Sequence, residues 1–211
     1  MRHLLIIQLF LCITQIVAAK DFSATGIVTD LRDGDLLFFA PASSNAITQV
    51  TTDNDWPEID HVAIFHHTAS GDSIIEAVHS GVRATSIDSA LVRAIRSNYR
   101  ILAGRITGDF DASESILRAK THLGKPYDFY FEPNDSAVYC SELVQMAYVD
   151  HQGSPIFSTI PMSFHTPDGK ILQYWIDYYR RAGKQVPEGA PGTNPSQLSR
   201  SSRVEILFTL H

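Results

Sequence analysis

The sequence is poor in cysteine, with two in 211 residues. Cys12 lies inside the apolar N-terminal segment, so Cys140 is the only cysteine expected in the mature chain. A lone cysteine can form no intramolecular disulfide, which excludes a disulfide scaffold. An idle exposed thiol is a liability in an oxidising compartment, so a single cysteine kept in an exported protein indicates a function.

The sequence also lacks an excess of basic residues. Lys and Arg total 17 against 23 Asp and Glu, and loss of Arg2 with residues 1–19 would change the formal charge from −6 to −7. This balance argues against nucleic acid or an anionic membrane as a partner. His61, His66 and His67 lack the HExxH or CxxC spacing of a metal site, so we predict no metal and no cofactor.

Long apolar runs are missing after the first 19 residues. Arg2, the apolar stretch 4–17 and Val17-Ala18-Ala19 together are typical of a secretory signal peptide, and the stretch is short for a membrane span. We therefore predict a signal peptide over 1–19 and a single domain over 20–211. The mature protein is expected to be a monomer in the periplasm or outside the cell, without stable membrane insertion.

Apolar alternation and turn residues predict several strands before the helices. The predicted strands are Leu36–Phe39, Asp60–His66, Ser73–His79, Gly81–Ile87, Tyr99–Ile106 and Val204–Leu210. Helical spacing covers Ala112–Leu123 and Lys170–Ala182, and Asn194-Pro195 is a good helix start. Residues 40–59 show no periodicity and are predicted to form a surface loop.

Cys140 falls in the first turn of a further predicted helix. The apolar residues among 143–148 recur at helical spacing, and residues 134–136 (Asn-Asp-Ser) are good N-cap residues. The positive end of the helix dipole and the free backbone N–H groups stabilise a thiolate. This placement suits a nucleophile, although a lone cysteine can equally be a small apolar residue under a helix.

A thiolate nucleophile needs a base, and a third group that fixes the tautomer of that base. His61 begins an apolar strand, where it can face a helix N-terminus at the sheet edge, and Glu76 is a lone carboxylate between Ile75 and Ala77. Asp60 and His79 are the reserve candidates. The alternatives are a structural histidine and a glutamate on the wet face of its strand.

The pairing register decides whether His61 and Glu76 meet. The two share a face if the paired residue numbers have an odd sum, but a tight turn at Ser70-Gly71 would leave Glu76 several residues from the position opposite His61. Twist, a bulge or a wider loop would have to close that offset.

Two motifs resemble the NlpC/P60 cysteine peptidases. Residues 124–127 (Gly-Lys-Pro-Tyr) and 139–144 (Tyr-Cys-Ser-Glu-Leu-Val) resemble their Gly-x-Pro-Tyr and Cys-Ser-x-Leu-Val signatures, and 61–65 (His-Val-Ala-Ile-Phe) resembles their histidine strand, with Ala63 at a usual glycine. The cysteine follows the histidine, which is the reverse of the ordinary order. The chain is thus similar to the circularly permuted YiiX/YebB-like branch over about residues 33–208.

The resemblance implies a circularly permuted papain-like α+β fold, with an antiparallel sheet packed against the cysteine helix. It further implies Cys140 as nucleophile, His61 as base, Glu76 as orienting group and Tyr127 as a stabiliser of the oxyanion together with the Cys140 N–H. The expected activity is amide hydrolysis of a cell-wall peptide or another small peptide-like substrate through an acyl-enzyme.

Two other functions stay open at this stage. One is a lipid or fatty-acyl hydrolase or acyltransferase, which predicts an apolar channel beside Cys140 formed by aromatic residues (Phe129, Phe131, Tyr174, Trp175 and Tyr178). The other is a binding module without catalysis, which would require an incomplete site.

Overall fold

The computed structural model describes residues 30–51, 56–134 and 136–210. The predicted signal peptide at 1–19 lies outside the described residues. Within them the strands are β1 (Leu36–Pro41), β2 (His61–Thr68), β3 (Gly71–Val78), β4 (Gly81–Ser86), β5 (Tyr99–Ile106), β6 (Ile160–Pro161), β7 (Pro191–Gly192) and β8 (Val204–Leu210). The helices are α1 (Thr48–Thr51), α2 (Ile87–Arg96), α3 (Ala112–Thr121), α4 (Cys140–Ala147), α5 (Gln173–Arg181) and α6 (Pro195–Ser199).

Six strands form one antiparallel sheet in the order β4-β3-β2-β1-β5-β8. The strands β2, β3 and β4 are rich in residues that favour strands and are joined by short hairpin turns. They therefore lie side by side in the sheet, as the sequence pattern predicts. β6 and β7 form a separate pair. The α+β fold with an antiparallel sheet is confirmed.

The sheet is covered on both faces. Side chains of β1, β2 and β3 alternate between the faces, so Phe38, Val62 and Ile64 pack with α3 and α4, while Phe39 and Phe65 pack with α2. The α4 helix lies directly on the strands that carry the candidate base and carboxylate.

Several element boundaries differ from the predictions, and three of the differences change a helix start or add a helix. The N-cap of the Cys140 helix is Tyr139, not one of residues 134–136. Asn134 Oδ1 instead accepts the Ser136 N–H at 3.0 Å in a separate turn, and the Val138 N–H donates to the Pro126 carbonyl oxygen at 2.9 Å. Helix α5 begins later than Lys170. The predicted loop 40–59 contains α1, a turn too short for a periodic pattern, which Asn45 Oδ1 caps at the N–H groups of residues 47 and 48.

Candidate active site

The nucleophile candidate occupies the first position of α4. Cys140 is 4% exposed, and its N–H has no partner within the helix because the first turn of a helix leaves its donors free. Glu142 Oε2 accepts the Tyr139 N–H at 3.3 Å, which holds the helix start in place. The sulfur therefore lies beside backbone donors at the positive end of α4.

His61 begins β2, close enough to the Cys140 thiol for that thiol to raise the pKa of the imidazole. Its Nε2 lies 2.9 Å from Glu76 Oε2, which leaves Nδ1 for the sulfur. The imidazole is 18% exposed and its ring packs at 5.1 Å from that of Phe39. These contacts orient both ring nitrogens, as a thiol–imidazole pair requires.

The β2–β3 register brings the histidine and the carboxylate to one face. Thr68 lies opposite Gly71, so the turn is at residues 69–70 and not at Ser70-Gly71. Continuing this register past the Ile64–Ile75 pair puts Glu76 two residues from the position opposite His61, on the same face. Diagonal neighbours of this kind are within reach of long side chains.

The Glu76 carboxylate is completely buried and receives four hydrogen bonds. Thr85 Oγ1 donates to Oε1 at 2.7 Å, Arg93 donates to Oε1 at 2.9 Å and to Oε2 at 2.6 Å, and His61 takes the fourth position. A buried charge needs such partners, since an unpaired carboxylate would be too costly to desolvate.

Two pKa values respond to this arrangement. Burial favours neutral His61, but hydrogen bonds with Cys140 and Glu76 outweigh it and raise the pKa of His61 to about 9. Burial likewise opposes ionised Glu76, but the hydrogen bond and charge of His61, followed by Arg93 and Thr85, lower the pKa of Glu76 to about 2. Both shifts favour an imidazolium paired with the ionised Glu76 carboxylate near neutral pH.

Tyr127 lies in the same cavity as Cys140. The loop that carries Tyr127 is held to the start of β4 by a hydrogen bond of 2.9 Å from the Val82 N–H to the Lys125 carbonyl oxygen. The two segments lie so close that a Cβ at Gly81, whose φ is +101°, would be 2.5 Å from that oxygen. Burial, together with the charge of Cys140, raises the pKa of Tyr127 well above its usual value. The phenol therefore stays protonated and can donate a hydrogen bond.

The two reserve candidates do not reach the imidazole Nε2. Asp60 Oδ2 accepts from Asn45 at 2.5 Å and from the Tyr99 hydroxyl at 2.8 Å. Burial raises the pKa of Asp60, although these two bonds and the charge of His61 oppose it. His79 packs edge to face on Phe129, at 4.8 Å between ring centroids.

The cavity beside Cys140 has a volume of about 60 Å³ and mainly apolar walls. Its apolar residues include Ile47, Val50, Phe131, Met162, Phe164 and Trp175. A second groove of about 390 Å³ shares Ile47, Tyr127, Phe131 and Trp175 with the cavity and continues to Phe129, Tyr174 and Tyr178. Of the five aromatics predicted for an apolar channel, only Phe131 and Trp175 line the cavity itself, and the other three belong to the adjoining groove.

The Phe131 ring is held in the cavity by an unusual backbone. Its φ is +52°, a left-handed conformation that is uncommon for a residue with a bulky side chain. The Asp128 carboxylate accepts the N–H groups of Tyr130 at 2.8 Å and Glu132 at 2.6 Å, which secures the backbone on either side. Opposite it, Trp175 Nε1 donates to the Ala46 carbonyl oxygen at 3.0 Å.

Sequence reasoning did not identify Arg93 or Thr85. A carboxylate within the apolar run of β3 indicates that a cation must lie nearby, since a buried charge without a partner is rare. The sequence offers Arg83, Arg93, Arg96 and Arg100 close by, and no pattern distinguishes among them. The packing of α2 makes the choice.

The geometry can be compared with known families. Residues 30–208 match the family described as a permuted papain-like amidase enzyme, YaeF/YiiX, C92 family. The match covers most of the chain and includes every candidate residue above.

Individual relatives agree with this match. The uncharacterized protein YiiX of Escherichia coli (strain K12) is 27% identical over 126 residues, which cover 58% of this chain and 59% of that protein. The crystal structure of metalloprotein yiiX from Escherichia coli O157:H7 has a TM-score of 0.68 at 22% identity and covers 84% of this chain and 96% of that one. The structural likeness shows the same fold.

Proposed function

The chain belongs to the permuted papain-like amidase family YaeF/YiiX, C92, and on that premise we propose that it hydrolyses an amide of a small peptide-like substrate through an acyl-enzyme on Cys140. Membership makes it a cysteine hydrolase of the amidase type. The observation that carries the proposal is the His61 imidazole, whose Nε2 lies 2.9 Å from Glu76 Oε2 and whose pKa is raised by the neighbouring Cys140 thiol.

The first half of the reaction forms a thioester. The Cys140 thiolate attacks the amide carbonyl carbon, and the resulting oxyanion accepts hydrogen bonds from the Cys140 N–H and the Tyr127 hydroxyl. The C–N bond then breaks, and the leaving nitrogen takes the proton from the His61 imidazolium.

The second half returns the enzyme to its starting state. Neutral His61 accepts a proton from water as the water oxygen attacks the thioester carbon. The C–S bond breaks, the carboxylic acid is released, and the thiolate and the imidazolium form again. Glu76 stays ionised throughout and stabilises the imidazolium, in the manner of the aspartate in a serine protease triad.

Substitution of the nucleophile tests this proposal. We expect Cys140→Ala and Cys140→Ser to abolish hydrolysis of peptidoglycan fragments and of simple peptide amides, with release of new amines as the readout. A wild-type acyl adduct on the peptide that contains Cys140 would support the thioester. Hydrolysis that survives either substitution would contradict it.

A second candidate function is favoured by the continuous apolar groove next to Cys140. A fatty-acyl amide or ester could place its carbonyl at the sulfur and its chain along Phe131 and Trp175. Mass adducts on Cys140 after incubation with acyl esters and with peptidoglycan fragments would distinguish the two. An adduct from acyl esters alone would favour this second function.

A metal has no part in the proposed mechanism. The yiiX protein of Escherichia coli O157:H7 is described as a metalloprotein. In residues 30–51, 56–134 and 136–210 of this chain, no group of three or more His, Cys, Asp or Glu side chains could hold a metal ion. The described residues therefore do not supply the ligands of a metal centre.

Export is also part of the proposal, supported by the signal-like pattern of residues 1–19. In the part of the chain that the structure covers, no helix combines the length and apolar character needed to cross a bilayer. N-terminal sequencing of protein from a secreting host should begin at Lys20. A mature protein that retains Met1 would contradict cleavage.

A further inference from the structure

We infer that Arg93 is a positioning residue of the active site, which holds Glu76 ionised and aimed at His61 from the far face of the sheet. The inference rests on the proposed function and extends it to a residue that touches neither Cys140 nor the cavity beside it. Arg93 lies on α2, whereas Cys140 lies on α4, against the opposite face.

The contact has the geometry of a bidentate clamp. Arg93 Nη1 donates to Glu76 Oε1 at 2.9 Å and Nη2 donates to Oε2 at 2.6 Å. Two parallel bonds from a planar guanidinium fix both the position and the plane of a carboxylate. Thr85 adds a third hydrogen bond to the carboxylate, at Oε1, and Oε2 remains directed at His61.

Helix α2 has the packing needed to hold Arg93 in place. Ser86 caps its start by accepting the Ser89 N–H, and Ile87, Ala90 and Ala94 are buried against the sheet. The guanidinium side chain is 43% exposed, whereas the carboxylate it holds is completely buried. Arg93 is thus a cation at the protein surface that reaches a buried anion.

Several titratable or charged groups surround the Glu76 carboxylate. His61 on β2 and Arg93 on α2 bond to Glu76, and Cys140 and Asp60 lie on the other side of the imidazole. Arg83 on β4 pairs with Glu76 in the sheet, and its side chain is exposed. Among the residues that the structure describes, only Arg93 supplies a permanent positive charge within hydrogen-bond distance of the carboxylate.

Removal of the clamp should act on catalysis through Glu76. Without Arg93 the buried carboxylate binds a proton at higher pH, and a protonated Glu76 no longer stabilises the imidazolium. The acid limb of the pH–rate profile should therefore move to higher pH. Because Arg93 does not line the Cys140 cavity, kcat should fall while KM is unchanged.

The test compares four variants with the wild-type chain. We expect Arg93→Met to lower kcat about 10- to 100-fold, by analogy with the loss when an outer-shell partner of a metal-binding histidine or carboxylate is removed. Arg93→Lys should recover part of the loss, since an ammonium keeps the charge without the fork. Arg96→Met is the matched control, because it removes an exposed cation from the last turn of the same helix and should leave kcat unchanged.

The fourth variant separates positioning from general destabilisation. In a Glu76→Gln background, the additional Arg93→Met change should cause no further loss of kcat, because the carboxylate through which Arg93 acts is already gone. Losses that multiply, or an Arg93→Met pH profile that superimposes on the wild-type profile, would overturn the inference. If Arg93→Met fails to fold by circular dichroism, Arg93→Lys alone and in the Glu76→Gln background gives the same comparison.

A readout without substrate distinguishes failure of this inference from failure of the proposed function. The rate of Cys140 alkylation by iodoacetamide, followed by peptide mass mapping, reports the thiolate directly. We expect its acid limb to move to higher pH in Arg93→Met and to stay in place in Arg96→Met. An unchanged limb in Arg93→Met would overturn the inference even in a protein that hydrolyses no tested amide.

Discussion

His61 Nε2 and Glu76 Oε2 lie 2.9 Å apart, although both residues lie beyond the last β2–β3 pair, Ile64–Ile75, and are offset by two residues when that register is continued. The reach of the glutamate side chain closes the offset, and the clamp from Arg93 keeps the carboxylate extended towards the ring. An aspartate at this position would be one methylene short.

Glu76→Gln should therefore lower kcat by about 100-fold or more, the scale on which general acid–base catalysis contributes. Glutamine keeps the shape and can accept a hydrogen bond, but it lacks the charge that stabilises the imidazolium. The loss should be smaller than in Cys140→Ala. Steady-state kinetics check this, and wild-type kcat in Glu76→Gln would contradict the orienting role.

The pH–rate profile should be bell-shaped. Activity should rise with pH as the Cys140–His61 pair loses the first of its two protons. It should fall around pH 9 as the His61 imidazolium, whose pKa is raised to about 9, loses the second proton. The measurement is kcat/KM against pH. A single rise near the free-thiol pKa of about 8.5 would mean that the ion pair is not formed in advance.

Stability towards acid should depend on Glu76. Its pKa is lowered from 4.5 to about 2 in the folded state, so the ionised carboxylate stabilises the fold above pH 4.5 and this contribution disappears as the pH falls towards 2. The shift corresponds to about 3 kcal/mol. Urea unfolding from pH 6 to pH 2 should show a shallower loss of unfolding free energy in Glu76→Gln, and parallel curves would contradict the prediction.

Tyr127→Phe should lower kcat about 10²- to 10³-fold, the usual effect of removing one oxyanion donor. KM should change little, because the hydrogen bond forms only as negative charge develops on the carbonyl oxygen. Tyr174→Phe is the control, since it removes a hydroxyl from an exposed ring of the adjoining groove. Equal kinetics in Tyr127→Phe and wild type would exclude Tyr127 as an oxyanion donor.

Val50→Trp should narrow the cavity beside Cys140 and raise KM for substrates with a bulky apolar acyl group. Val50 lines the cavity, and a cavity of about 60 Å³ has no room for an indole. Val92→Trp adds the same ring at an exposed position of α2 and should be neutral. The check is kcat/KM across acyl groups of increasing length, and equal decreases at all lengths would show that the substrate does not enter here.

The local elements could be predicted from the sequence because their signals are local. Strands Tyr99–Ile106 and Val204–Leu210 have the predicted bounds, and Asn194 caps the helix that begins at Pro195 as expected. The placement of Cys140 in the first turn of a helix rests on apolar spacing within ten residues of it. The permuted papain-like fold is confirmed, and it was accessible because the two motifs lie intact in the sequence.

Only the tertiary structure decided how these elements combine into a site. The hairpin turn at residues 69–70, one residue earlier than predicted, sets the register that brings Glu76 to His61. The choice of Arg93 among several nearby arginines depends on how α2 packs, and Tyr139 became the N-cap because the preceding segment bonds to a distant loop. Helix and strand formation follow from the chemistry of neighbouring residues, whereas these contacts join elements far apart in sequence and depend on the packing of the whole sheet.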